Sequence, residues 1–187
     1  MAKKFELTAE FVTNIFGNKL FRIKALMAFG DVKEGELGGY VEKEENLDHD
    51  GDAWVSGNAQ VSGDARVYGD AWVSGNARVY GNAEVYGDAR VYGNAWVSGD
   101  ARVYGNAEYT TIKGFGRECR TTTFFRLKNG EVGVRCGCFY GTIEQFREKV
   151  QETHRDSKYA KEYLMIADLM ELHFEREEKR GGGVDGD

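Results

Sequence analysis

Between Thr111 and Cys138 the chain carries six cationic side chains, Lys113, Arg117, Arg120, Arg126, Lys128 and Arg135, against Glu118 and Glu131 alone. A guanidinium fork matches the paired oxygens of a phosphate or carboxylate. Tyr140, His154 and Arg155 follow in the same stretch, and a tyrosine ring can stack on a planar body such as a base. Arg117, Arg120, Arg126, Arg135, Tyr140, His154 and Arg155 thus form a candidate site for a phosphate-bearing or other small anionic ligand. The competing expectation is a solvated strand face, balanced by acidic residues on neighbouring helices.

Other chemistry is less well supplied. Cys136 and Cys138 flank one glycine, so strand alternation puts both thiols on one face as small buried hydrophobes. Cys119, His154 and His173 stand apart from them, without the paired spacings of structural zinc. No metal or cofactor is expected, and neither a P-loop nor a dinucleotide fingerprint is present. His49, in Asn-Leu-Asp-His-Asp-Gly, is the one candidate general base near the repeats. Its place in the six-residue phase points inward, which favours a structural role.

The element that must carry these groups is a repeat. From Gly51 to Thr110 one phrase, Gly-[Asp/Asn]-Ala-x-Val-[Ser/Tyr], recurs ten times without a gap, and the tenth copy replaces its Val by Tyr109. A short fixed period means a solenoid. Ala and Val alternate inward while x and Ser/Tyr point outward. Gly-[Asp/Asn] supplies the corner, since both residue types tolerate the positive φ that a tight turn asks for. Three such strands close one turn of eighteen residues. Val41 and Leu47 fall in phase with the inward Ala position, so the coil is expected to begin one turn early, near Gly39.

That register stacks side chains on three outer faces. One carries Trp54, Trp72, Arg90 and Glu108; a second Gln60, Arg78 and Trp96; a third Arg66, Glu84 and Arg102 beside Tyr68, Tyr86 and Tyr104. Neighbouring aromatic and opposite-charge pairs stabilise a sheet by about 0.2–1 kcal/mol each. Contiguous exposed aromatics also mark contacts with partners. Trp54, Trp72, Trp96, Tyr68, Tyr86 and Tyr104 are therefore the candidate interface, with a homo-oligomer expected and a trimer favoured. The corner stacks of Asp and Asn are read as turn chemistry.

Residues 51–110 resemble the hexapeptide repeats of left-handed parallel β-helices, on Val55, Val61, Val67 and the small residues Ala59, Ala65, Ala71 four positions after each. Many such β-helices are CoA- or acyl-carrier-dependent acyltransferases. This chain resembles those enzymes in the coil only, since residues 51–110 hold neither a histidine nor an interrupting loop. Acyl transfer is the alternative reading. The run from Lys19 to Gly51 resembles the leader segment ahead of hexapeptide repeats in phage and prophage proteins. The stretches Thr122–Val150 and Thr153–Leu164 resemble a recurrent phage domain with no assigned chemistry. These likenesses imply a phage setting and a non-enzymatic interaction protein. Such a protein would bind a host protein or sequester a small anionic molecule to counter host defence.

The expected organisation is an N-terminal β-rich cap (1–50), the left-handed β-helix (51–110), an α+β domain (111–180) and a disordered tail (181–187), mainly β overall. A hairpin is expected from Phe5–Phe16 and Leu20–Phe29. Strands are expected over 108–113, 121–128 and 131–138. Helices capped by Thr142 and Asp156 should follow, the second running from Ser157 to about Glu178. The net charge of −6 gives no pull toward nucleic acid or an anionic membrane. No apolar leader or membrane span is read, and three cysteines suit a reducing compartment, so the host cytoplasm is the expected location.

Overall fold

The computed structural model describes residues 3–175, and the tail expected over 181–187 lies outside them. The chain is mainly β: a hairpin-based N-terminal sheet, a β-solenoid of about four turns, and an antiparallel sheet carrying two helices.

Nine two-residue strands build the coil: β4 (Trp54–Val55), β5 (Gln60–Val61), β6 (Arg66–Val67), β7 (Trp72–Val73), β8 (Arg78–Val79), β9 (Glu84–Val85), β10 (Arg90–Val91), β11 (Trp96–Val97) and β12 (Arg102–Val103). They stack in parallel as three faces, β4-β7-β10, β5-β8-β11 and β6-β9-β12. Every Ala and Val of the phrase from Ala53 to Val103 is fully buried. Glycine alone takes positive φ at the corners from Gly51 to Gly99. Successive corners also stack closely: a Cβ at Gly51 would lie 2.5 Å from the Gly69 carbonyl oxygen. The period fails at Gly105, which is extended, and a short 3₁₀ turn over Asn106–Glu108 leads the chain out of the coil.

The coil does begin one turn early. β1 (Phe5–Thr13) and β2 (Lys19–Ala25) form the hairpin, β2 pairs with β3 (Leu37–Val41), and β3 lies parallel on β5. The phase differs from the expectation, however. Val41 pairs with Val61 and Leu47 bridges Val67, so both occupy the Val position and not the Ala position. Two extra residues between Leu47 and Val55 absorb the shift. They also carry His49 away from the interior, to a corner where its ring stacks on Phe5 at 4.4 Å and its Nδ1 accepts from the Lys4 N–H at 3.2 Å.

Each turn donates its N–H groups to the carbonyls of the next, as Trp54 N to Ala71 O and Ser56 N to Val73 O. The first turn therefore needs donors for its carbonyls, and the last needs acceptors for its N–H groups. Where the preceding turn is irregular, side chains serve. Buried Lys4 donates through Nζ to the carbonyls of Gly51 (3.1 Å) and Ala53 (3.0 Å). Buried Asn46 donates to Gly63 O (3.0 Å) and Ala65 O (2.8 Å). At the other end Asn106 Oδ1 accepts from Arg90 N (3.0 Å), Thr123 Oγ1 from Trp96 N (3.0 Å), and the Tyr109 hydroxyl from Tyr92 N (3.3 Å). Phe5 and Phe125, both fully buried, join the coil's apolar core at its two ends.

The C-terminal sheet runs β13 (Tyr109–Phe115), β14 (Arg120–Arg126), β15 (Val132–Cys136) and β16 (Phe139–Thr142) in sequence order. The strand expected over 131–138 ends at Cys136, where Gly137 turns at positive φ, and β16, which was not expected, runs back beside it. Cys138 is thereby exposed at the turn and Cys136 is half-buried, where both were expected to be buried. On β14, Thr123 and Phe125 face the coil, while Phe124 joins the second core under the helices. α1 (Ile143–His154) is capped by Thr142 with Gln145 in a capping box. α2 (Lys158–Phe174) takes Ser157 as its cap, not Asp156. Its inner stripe uses Ala160, Tyr163, Ile166, Ala167, Met170 and Phe174, and Tyr159 is exposed. No helix among the described residues is long and apolar enough to cross a membrane.

Candidate functional site

Strand alternation decides where the arginines go. Arg135 on β15 pairs across the ladder with Thr123 on β14, so both side chains face the coil. The Arg135 guanidinium stacks on Trp96 (5.2 Å) and Tyr80 (5.7 Å). Arg120, at the first position of β14, reaches round the Gly137 turn, where a Cβ would fall 2.5 Å from its Nη1. The hairpin between β1 and β2 bends along the same side of the coil, and Phe16 meets Tyr80 edge-on at 5.2 Å.

These elements enclose a cleft of about 500 Å³ lined by Ile15, Asn94, Trp96, Arg120, Thr121, Arg135, Gly137 and Cys138. The lining joins all three parts of the molecule and contains no acidic residue. Neither Arg120 nor Arg135 makes an ion pair among the described residues. Arg135 Nε and the Tyr80 hydroxyl are shielded from solvent and lack a protein partner among them. Two unneutralised guanidiniums beside aromatic and aliphatic walls suit an anion with an apolar or planar body.

The remaining members of the candidate constellation are dispersed. Arg126 is a structural clamp: its Nε donates to Glu108 Oε2 (3.3 Å), Nη1 to Gly130 O (2.9 Å) and Nη2 to Phe174 O (2.5 Å). All three of its guanidinium nitrogens are thus engaged within the protein. Tyr140 stacks on Phe125 at 6.4 Å and packs its hydroxyl over the Gly99 corner at the coil's end, where burial raises its pKa. Arg155 caps α1 in a positive-φ turn and is exposed. His154 stacks on Tyr163 at 5.8 Å. It lines a second cleft, about 510 Å³, with Arg117, Arg120, Lys149 and an apolar floor of Phe139, Phe146 and Tyr163. Two of its cations are already matched, Arg117 by Glu118 (3.8 Å) and Lys149 by Glu152 (2.7 Å). No cluster of three or more His, Cys, Asp or Glu suited to a metal occurs among the described residues.

The outer faces of the coil fare unequally. Trp54 is fully buried, against the expectation that it lies on an exposed face, because the segment after β2 folds over it and Phe29 meets it edge-on at 5.4 Å. Trp96 is half-buried, with Arg78 at 4.8 Å and Arg135 at 5.2 Å. Trp72 is half-buried and donates to Ser56 Oγ at 3.0 Å. In the tyrosine ladder only Tyr104 is exposed: Tyr68 and Tyr86 are half-buried and stack at 5.0 Å, and Tyr86 meets Tyr104 at 5.2 Å. Ile15, Asn94 and Thr121 line the cleft and were missed in the sequence reading, as was Tyr80, which packs against Arg135 and Phe16 beside it. Hairpin length was the only signal for Ile15, and Tyr80 was one of several equivalent repeat tyrosines.

No curated protein matches the chain. Residues 59–75, 71–85 and 83–99 match the family described as YdcK Beta solenoid repeat, so the coil of this repeat β-helix protein is similar to that repeat.

Proposed function

We propose that the chain is a non-enzymatic binding protein that holds a small anion with an apolar or planar body in the junction cleft. The observation that carries this reading is the pairing of Arg120 with Arg135 in a cleft without an acidic residue. The uninterrupted coil supports it as well, since a rigid column holds the hairpin tip and the arginine-bearing sheet at fixed separation. The resemblance of the flanking segments to phage proteins supports a phage setting. There the protein would withdraw an anionic molecule from a host defence. The tyrosine ladder, with Tyr104 61% exposed, favours a host protein as a second binding partner.

Native mass spectrometry of protein purified directly from lysate tests the proposal. The expected result is extra mass per subunit that is lost in Arg135→Gln. Titration with a nucleoside monophosphate and with inorganic pyrophosphate should show binding weakened roughly ten-fold by Arg120→Gln or Arg135→Gln. Binding unchanged by both substitutions overturns the cleft. Turnover of an acyl-CoA that His49→Ala abolishes would establish acyl transfer instead.

A further inference from the structure

α2 presents two apolar stripes, and only one is packed. The inner stripe covers the sheet. On the opposite side Met165, Leu169 and Leu172 are 71%, 54% and 65% exposed. Their spacing of four and then three residues places them along one line of the helix. Isolated exposed apolar residues are ordinary, but an aligned trio on an otherwise charged helix is a contact surface.

The charges beside the stripe say what fits it. Lys161 flanks its N-terminal end and Glu175 its C-terminal end, and neither has an ion-pair partner among the described residues. Laid antiparallel on itself about a two-fold axis near Leu169, the helix is self-complementary. Met165 then meets Leu172 of the second copy, Leu169 meets its own counterpart, and Lys161 meets Glu175. A parallel arrangement would set Lys161 against Lys161 and Glu175 against Glu175.

We propose that this face of α2 is the site where two copies of the chain associate, as an antiparallel helix pair with two-fold symmetry. It replaces a coil face as the surface of self-association and does not rest on the anion cleft. Three apolar side chains and their flanks bury less than the roughly 1,200 Å² of a standard stable interface. The dimer is therefore in exchange with monomer and dissociates on dilution.

Sedimentation equilibrium of the full chain over a wide dilution series tests this. A monomer–dimer equilibrium is expected. Leu169→Glu, at an exposed position that should not disturb folding, should weaken it roughly ten-fold or more. Lys161→Glu and Glu175→Lys should each weaken association, and the double reversal should restore it, which only an antiparallel second copy explains. A monomer at every concentration overturns the proposal, as does a trimer or dimer indifferent to Leu169→Glu.

Discussion

At the N-terminal end of the coil the groups left over are carbonyls, and at the C-terminal end they are N–H groups. The same fold thus demands opposite chemistry from its two closures. The N-terminal closure supplies donors, Lys4 Nζ and Asn46 Nδ2. The C-terminal closure supplies acceptors, Asn106 Oδ1, the Tyr109 hydroxyl and Thr123 Oγ1. The apolar part is alike at both ends, one buried phenyl ring apiece. A parallel coil is polar along its axis, and its caps are chosen by direction of hydrogen bonding as much as by shape.

The largest expected effect tests the part the ends share. Phe5→Ala and Phe125→Ala should each cost about 3–5 kcal/mol in chemical denaturation, as truncation of a buried ring does. A cost below about 1 kcal/mol at either end would show that the ring there is no plug. The next test separates the ends. Lys4→Met should cost about 2 kcal/mol, because it leaves buried carbonyls without a donor while relieving a buried charge. Thr123→Val should cost about 1 kcal/mol, since it strips one acceptor from a neutral N–H. If Lys4→Met raised stability, the ammonium would be a tolerated burden and not a cap.

The pH response should have opposite sign at the two ends. Burial pushes the Tyr109 phenol up to about 12, and its hydroxyl donates to Arg90 O at 2.7 Å. Its ordinary value is 10.0. That contribution is complete below pH 10 and is lost as pH rises through about 12. Burial lowers the Lys4 pKa from 10.5. Its titration contributes stability that is present above pH 10.5 and lost as pH falls through the lowered folded value. Denaturation across an alkaline series should show the loss reduced in Tyr109→Phe and the gain absent in Lys4→Met. Part of the loss persists through Tyr163, which burial beside Cys136 also pushes up to about 12.

The coil was legible because its rules are local: glycine at each corner and Ala and Val inward specify a rung within six residues. What escaped notice came from outside that window. Trp54 reads as outward on its own strand, and its cover arrives with Phe29, in a segment with no repeat. Val41 and Leu47 match the Ala phase by simple counting, yet two extra residues before Val55 set them in the Val position. Arg126 looked like its neighbours until Glu108 and the Phe174 carbonyl came within reach. Of the candidate anion site, composition conveyed that cations cluster, and strand parity decided that Arg135 faces the coil.

The hairpin tip and the two arginines are fastened to opposite ends of the same column. Ile15 is tied to the first turn through β2 and β3, and Arg120 and Arg135 to the last through Phe125 and Thr123. The cleft between them is therefore a gauge of repeat number. An in-phase duplication of one eighteen-residue turn, such as Gly69–Tyr86, would leave both closures intact while drawing the jaws apart by about 4.8 Å. Gain of one such turn would thus widen the cleft without a single substitution in its walls.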